Sequence, residues 1–108
     1  MDKPTTIQEA MEQMPSSFQA SKAGNTNASV QFNLTGEGGG TWTVKIADGK
    51  CVAINGPVDA PTTTLTAAAS DYLAMVRGEL NAMSAFTSGK LKIAGDMMLM
   101  MKFQSWFA

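Results

Sequence analysis

Apolar residues change their period several times along the chain, and each change marks an element. Ile7, Ala10, Met11 and Met14 recur at helical spacing. Thr6-Ile7-Gln8-Glu9 ahead of them is a capping-box pattern, with Pro4 just before it. Pro15 is expected to end this helix by disfavouring helical geometry at Met14. Phe18 extends the apolar face in a looser turn, and the small polar residues Ser21 to Asn27 read as a loop. The period then becomes two. Val30, Phe32 and Leu34 alternate with polar neighbours, then Trp42, Val44 and Ile46 do the same across the Gly36–Gly40 turn. Asp48-Gly49 is a two-residue hairpin signal, and Lys50 to Ile54 reads as a third strand.

The second half is patterned differently. Pro61 to Thr66 is Thr-rich and predicts a fourth strand. Ser70-Asp71 is expected to cap a helix that holds Tyr72, Leu73, Met75 and Val76 and closes near Gly78. Glu79 to Phe86 predicts a second short helix with Leu80, Met83 and Phe86 on one side. Lys90 to Ile93 alternates again as a fifth strand, and Gly95-Asp96 turns into a last helix. One helix, three or four strands, two helices, a strand and a helix define an α+β chain. Its helices are expected to pack on one face of a mainly antiparallel sheet.

The last helix is unusual. Met97, Met98, Leu99, Met100 and Met101 form an unbroken apolar run that holds four of the chain's nine methionines. Advancing about 100° per residue puts Leu99, Met100, Phe103, Trp106 and Phe107 on one broad core side. Lys102 and Ser105 fall roughly opposite, with Met98 between them. Met97 and Met101 form a separate apolar flank, with Gln104 beside them. That flank needs its own partner. One reading is a helix buried on most sides or set in a dimer interface, with Met98 as the subunit contact. The other is a cavity wall, since methionine repacks around irregular apolar shapes. Burying ten methylenes of an acyl chain there yields about 8 kcal/mol before association costs, enough for a carrier that must also release its cargo.

Composition narrows the chemistry. A length of 108 residues bounds the chain to one domain, 1–108, with enough core to fold without staples. The formal charge of −1, with basic and acidic residues interspersed, lacks the footprint of a nucleic-acid binder. Cys51 stands alone and reads as a small strand residue in a reducing compartment. There is no histidine, which excludes Ser-His and Cys-His nucleophile pairs and any His-bearing zinc site. The acidic residues fall mainly at caps and turns, so the carboxylate-in-a-cleft of a thioesterase-like enzyme is not indicated. A binding protein, without catalytic residues, metal or cofactor, is expected. The first residues show no apolar signal region and no run is long enough to span a membrane, so a cytoplasmic location is expected. Lys90 and Lys92 read as a solvated strand face. Glu37-Gly38-Gly39-Gly40 lacks the strand-loop-helix setting of a phosphate loop.

The stretch from Gly89 to Gln104, "GKLKIAGDMMLMMKFQ", resembles the C-terminal signature of the sterol carrier protein family, the non-specific lipid-transfer proteins. "TGEGGGTWTVKIADGK" resembles the first hairpin of bacterial members, and "GELNAMSAFTSGKLKI" the approach to the last strand. The resemblance implies a five-stranded sheet covered on one side by helices, with an apolar tunnel between the layers. It implies binding of sterols, fatty acyl chains or other lipids, as a carrier or a presenter of substrate. On that fold the expected lining is Phe32, Trp42, Val44 and Ile93 from the sheet. Met75, Met83 and Phe86 from the middle helices and Met97, Met101 and Gln104 from the last helix complete it. Met98 and Met100 stand where the family often has small residues, which would reshape or shorten the tunnel. The implied partners are a lipid or acyl ligand and transient membrane contact. The alternative is a non-catalytic module that dimerises or serves a partner enzyme, to which related domains are fused.

Overall fold

The computed structural model describes residues 6–106; the side chains of Ser17, Ala82, Gln104 and Ser105 lie outside the description. Helix α1 (Ile7–Ser17) and the short α2 (Ala20–Ala23) precede strands β1 (Ala28–Thr35), β2 (Gly40–Ala47), β3 (Lys50–Asn55) and β4 (Thr63–Ala68). Helices α3 (Ala69–Val76) and α4 (Ala82–Thr87), strand β5 (Leu91–Gly95) and helix α5 (Met97–Ser105) follow.

The sheet runs β3-β2-β1-β4-β5. Its first three strands form the expected antiparallel meander. The chain then crosses to the far side of β1, so β1 and β4 pair in parallel, and β5 adds antiparallel to β4. Register explains the alternation seen in the sequence. Trp42, Phe32, Leu65 and Ile93 form one row across four strands, and Ala53, Val44, Val30 and Thr63 form the next. Val30, Phe32, Val44 and Leu65 are buried in the core. The opposite face is mainly polar, carrying Gln31, Asn33, Thr41, Lys45, Thr64, Thr66 and Lys92, while the edge strand β3 adds Val52 and Ile54 to it. Lys90 and Lys92 are exposed, as expected.

Turns are set by local chemistry. Asp48 and Gly49 both take positive φ (54° and 72°), the type I′ geometry that matches strand twist. At Gly39 a Cβ would collide with the Leu34 carbonyl oxygen, so the β1–β2 turn closes only with glycine there. No helix follows that turn, consistent with its reading as a hairpin. Thr6 caps α1: its hydroxyl accepts from the Glu9 amide at 3.1 Å and donates to the Glu9 carboxylate at 3.3 Å. Asp96 opens α5, its carboxylate accepting the Leu99 amide at 3.0 Å.

Four boundary expectations need correction. Pro15 does not end α1, which runs to Ser17. Pro15 lies in the last turn, where its missing N–H removes one bond and the Phe18 amide bonds back to its carbonyl at 3.3 Å. Ala20–Ala23 forms a helical turn within the expected Ser21–Asn27 loop. Ser70 does not cap α3, which starts at Ala69 straight out of β4 with Ala68 as an N-cap that makes no side-chain bond. The next helix starts at Ala82 rather than Glu79, because Asn81 caps it by accepting the Ser84 amide at 3.1 Å. That leaves Leu80 outside the helix.

Candidate functional site

Helix α5 sorts its run of methionines as the helical angles predict. Leu99, Met100, Phe103 and Trp106 are buried. Their aromatic members continue a contiguous row: the Phe103 ring lies 6.0 Å from Trp106 and 6.1 Å from Phe32. Phe32 in turn meets Tyr72 of α3 edge-on at 5.3 Å. The row ties two helices to the centre of the sheet. The α5 end is further fixed by the Trp106 carbonyl, which accepts the Gln19 amide at 2.7 Å. Phe107 lies outside the described residues.

The other α5 flank is open. Met97, Met98 and Met101 are 40%, 69% and 70% exposed. Met83 and Phe86 of α4 are exposed as well. Helix α4 packs on β5, and α5 leaves from the other end of that strand. Exposed apolar side chains thus flank the edge strand whose Ile93 is half-buried on the helix-covered face. Large apolar side chains left exposed on two helices are candidates for an interaction surface.

The expected lining residues therefore fall into distinct settings. Phe32 and Val44 are sealed in the core; Trp42, Met75 and Ile93 are half-buried against it. Met83, Phe86, Met97 and Met101 stand at the surface, and the Gln104 side chain lies outside the description. A separate open cavity of about 240 Å³ lies where α1 and α3 begin beside the β1–β2 turn, lined by residues such as Ile7, Glu37, Ser70 and Leu73. None of the expected lining residues belongs to it, and no sequence pattern announced it.

Burial shifts two ionisable groups, Cys51 and Tyr72. Cys51 is half-buried and burial pushes its thiol up to about 11, which makes it unreactive near neutrality. Burial likewise pushes the Tyr72 phenol well above the ordinary tyrosine range. Periodicity places Tyr72 on a helix and assigns it no part in the expected lining. Its signal was available: it is the chain's single tyrosine, set among apolar helix residues. Among the described residues no group of three acidic, cysteine or histidine side chains could hold a metal.

Residues 7–108 match the profile of the SCP-2 sterol transfer family, and the chain belongs to that family of lipid-binding and lipid-transfer domains. It is 38% identical over 80 residues to the bovine (Bos taurus) hydroxysteroid dehydrogenase-like protein 2, covering 73% of this chain and 19% of that protein. It is 46% identical over 65 residues to rat (Rattus norvegicus) sterol carrier protein 2, covering 60% of this chain and 12% of that one. The chain thus spans less than a fifth of either relative. Palmitated SCP2L2 from Aedes aegypti superposes with a TM-score of 0.73 at 21% identity, covering 92% of this chain and 91% of that one. That likeness confirms the α+β fold. Among the described residues no helix is long and apolar enough to cross a membrane.

Proposed function

We propose that this chain takes a long apolar ligand, a fatty acyl or sterol-like lipid, between its sheet and its helices, and carries it or presents it to a partner enzyme. The observation that carries this reading is the exposed Met83, Phe86, Met97 and Met101 beside half-buried Ile93. On this reading these residues rim the entrance, and the core behind them is edged with flexible Met75 and Met100. A tunnel forms there when these side chains repack around the ligand, which methionine does at low cost. The palmitated relative supports an acyl ligand, and the enzyme relatives that contain a matching segment support presentation to a partner. The protein needs no catalytic residue of its own for either role.

Native mass spectrometry of gently purified protein, followed by acyl titration read through Trp fluorescence, tests the proposal. Retained lipid on a monomer, or saturable acyl uptake, supports it. A clean dimer that takes up no acyl ligand sinks it in favour of the assembly-module reading, for which exposed Met98 is the contact.

A further inference from the structure

Tyr72 pairs an enclosed ring with a hydroxyl that has no protein partner among the described residues. The residue is only 6% exposed, wedged on Phe32 between α3 and the sheet. No sealed side-chain nitrogen or oxygen among the described residues lacks a hydrogen bond. Yet Tyr72 Oη makes no hydrogen bond among them. The oxygen therefore reaches accessible space while its ring is enclosed. A phenol held in an apolar setting keeps its proton and so remains a donor to whatever occupies that space.

Position adds the rest. Phe32, Leu65 and Ile93 are consecutive in one sheet row, so the Phe32 site under Tyr72 lies two strand spacings, roughly 10 Å, from Ile93. The exposed apolar residues of α4 and α5 flank that same edge. A chain entering there places its leading end near the phenol. The only buried polar residues described are Thr43 and Thr63, so no buried cation could neutralise an ionised head.

We propose that the Tyr72 hydroxyl is the polar recognition point for the inner end of the carried ligand, and that it selects an uncharged oxygen head, such as a hydroxyl, over an ionised carboxylate. This rests on the carrier reading above.

The test uses displacement of a fluorescent acyl probe by 1-hexadecanol, by palmitate at pH 8 and by hexadecane, each delivered from cyclodextrin. The wild type should bind hexadecanol more tightly than either competitor. Tyr72→Phe, checked for fold by circular dichroism, should weaken hexadecanol about threefold to tenfold and leave hexadecane unchanged. Because Tyr72 is the single tyrosine, ¹³Cζ-tyrosine labelling gives one resonance in the unmodified protein. It should move with hexadecanol and not with hexadecane. An unmoved resonance, equal weakening of both ligands in the variant, or tighter binding of palmitate at pH 8 would overturn the proposal while leaving the carrier reading intact. A wild type that binds none of the three overturns both.

Discussion

Leu99 and Met101 sit two residues apart on α5, one 7% and the other 70% exposed. Substitutions at the two sites should therefore separate folding from binding. Leu99→Ala removes buried contacts and should cost about 2–5 kcal/mol in urea unfolding. Met101→Asp changes an exposed site, where stability effects usually stay within about 0.5 kcal/mol. The same change should abolish acyl binding, because a charge at the mouth opposes an apolar chain. A strongly destabilised Met101→Asp would show that this flank is core. Cys51 offers a second residue-scale check. Its folded thiol is pushed up to about 11 from 9.0, so the folded state holds the proton more tightly than the unfolded one. The sign follows: stability is unaffected below about pH 9 and declines as pH rises toward 11. Alkylation by iodoacetamide at pH 8 should be much slower in the native protein than in urea. The angular arithmetic of α5 was legible because core and surface follow from 100° steps. The exposure of Met97 and Met101 was not, since periodicity separates faces without saying whether a second face is covered.

At the scale of elements, strands were more legible than helix ends. Alternation located β1, β2 and β3 within a residue or two, because a pleated sheet with one covered face imposes period two. Helix starts depend on which side chain wins a cap. Asn81 displaced the expected start at Glu79, and α3 needed no capping side chain because it grows directly out of β4. Two glycines carry element-scale predictions. Gly95 takes φ 101°, and a Cβ there would sit 2.7 Å from the Thr62 carbonyl oxygen. Gly39→Ala and Gly95→Ala should each destabilise the fold by about 1–3 kcal/mol, measured by chemical unfolding. Gly95→Ala should also disturb acyl binding, because it shifts the joint that aims α5. If Gly95→Ala is as stable as the wild type, the tight joint between β5 and β4 is not a constraint.

For the whole molecule, stability is expected to be uneven. Strand β1 is the centre of the sheet with β4 paired beside it, and α3 and α5 pack on both, whereas α4 is six residues long and exposes Met83 and Phe86. A helix that short has little intrinsic stability and depends on its packing against β5. Strand order itself was not legible: the parallel β1–β4 pair arises from a crossover between segments far apart in sequence, which no local pattern encodes. Its consequence is that β5 becomes an edge, and the two helices with exposed methionines attach to its two ends. Hydrogen exchange should accordingly be fastest in α4 and slowest in β1 and β4. Adding a long-chain ligand should slow exchange in α4, β5 and α5 beyond any general increase, and leave β3 at the far edge little changed. At a hundredfold excess over Kd the ligand should also add about 2.7 kcal/mol to global stability. If the methionine face instead joined two copies of the chain, protection would centre on α5 around Met98 and grow with protein concentration in the absence of ligand. Exchange measured at two protein concentrations, with and without ligand, distinguishes these outcomes, and concentration-dependent protection without a ligand effect would defeat the carrier reading.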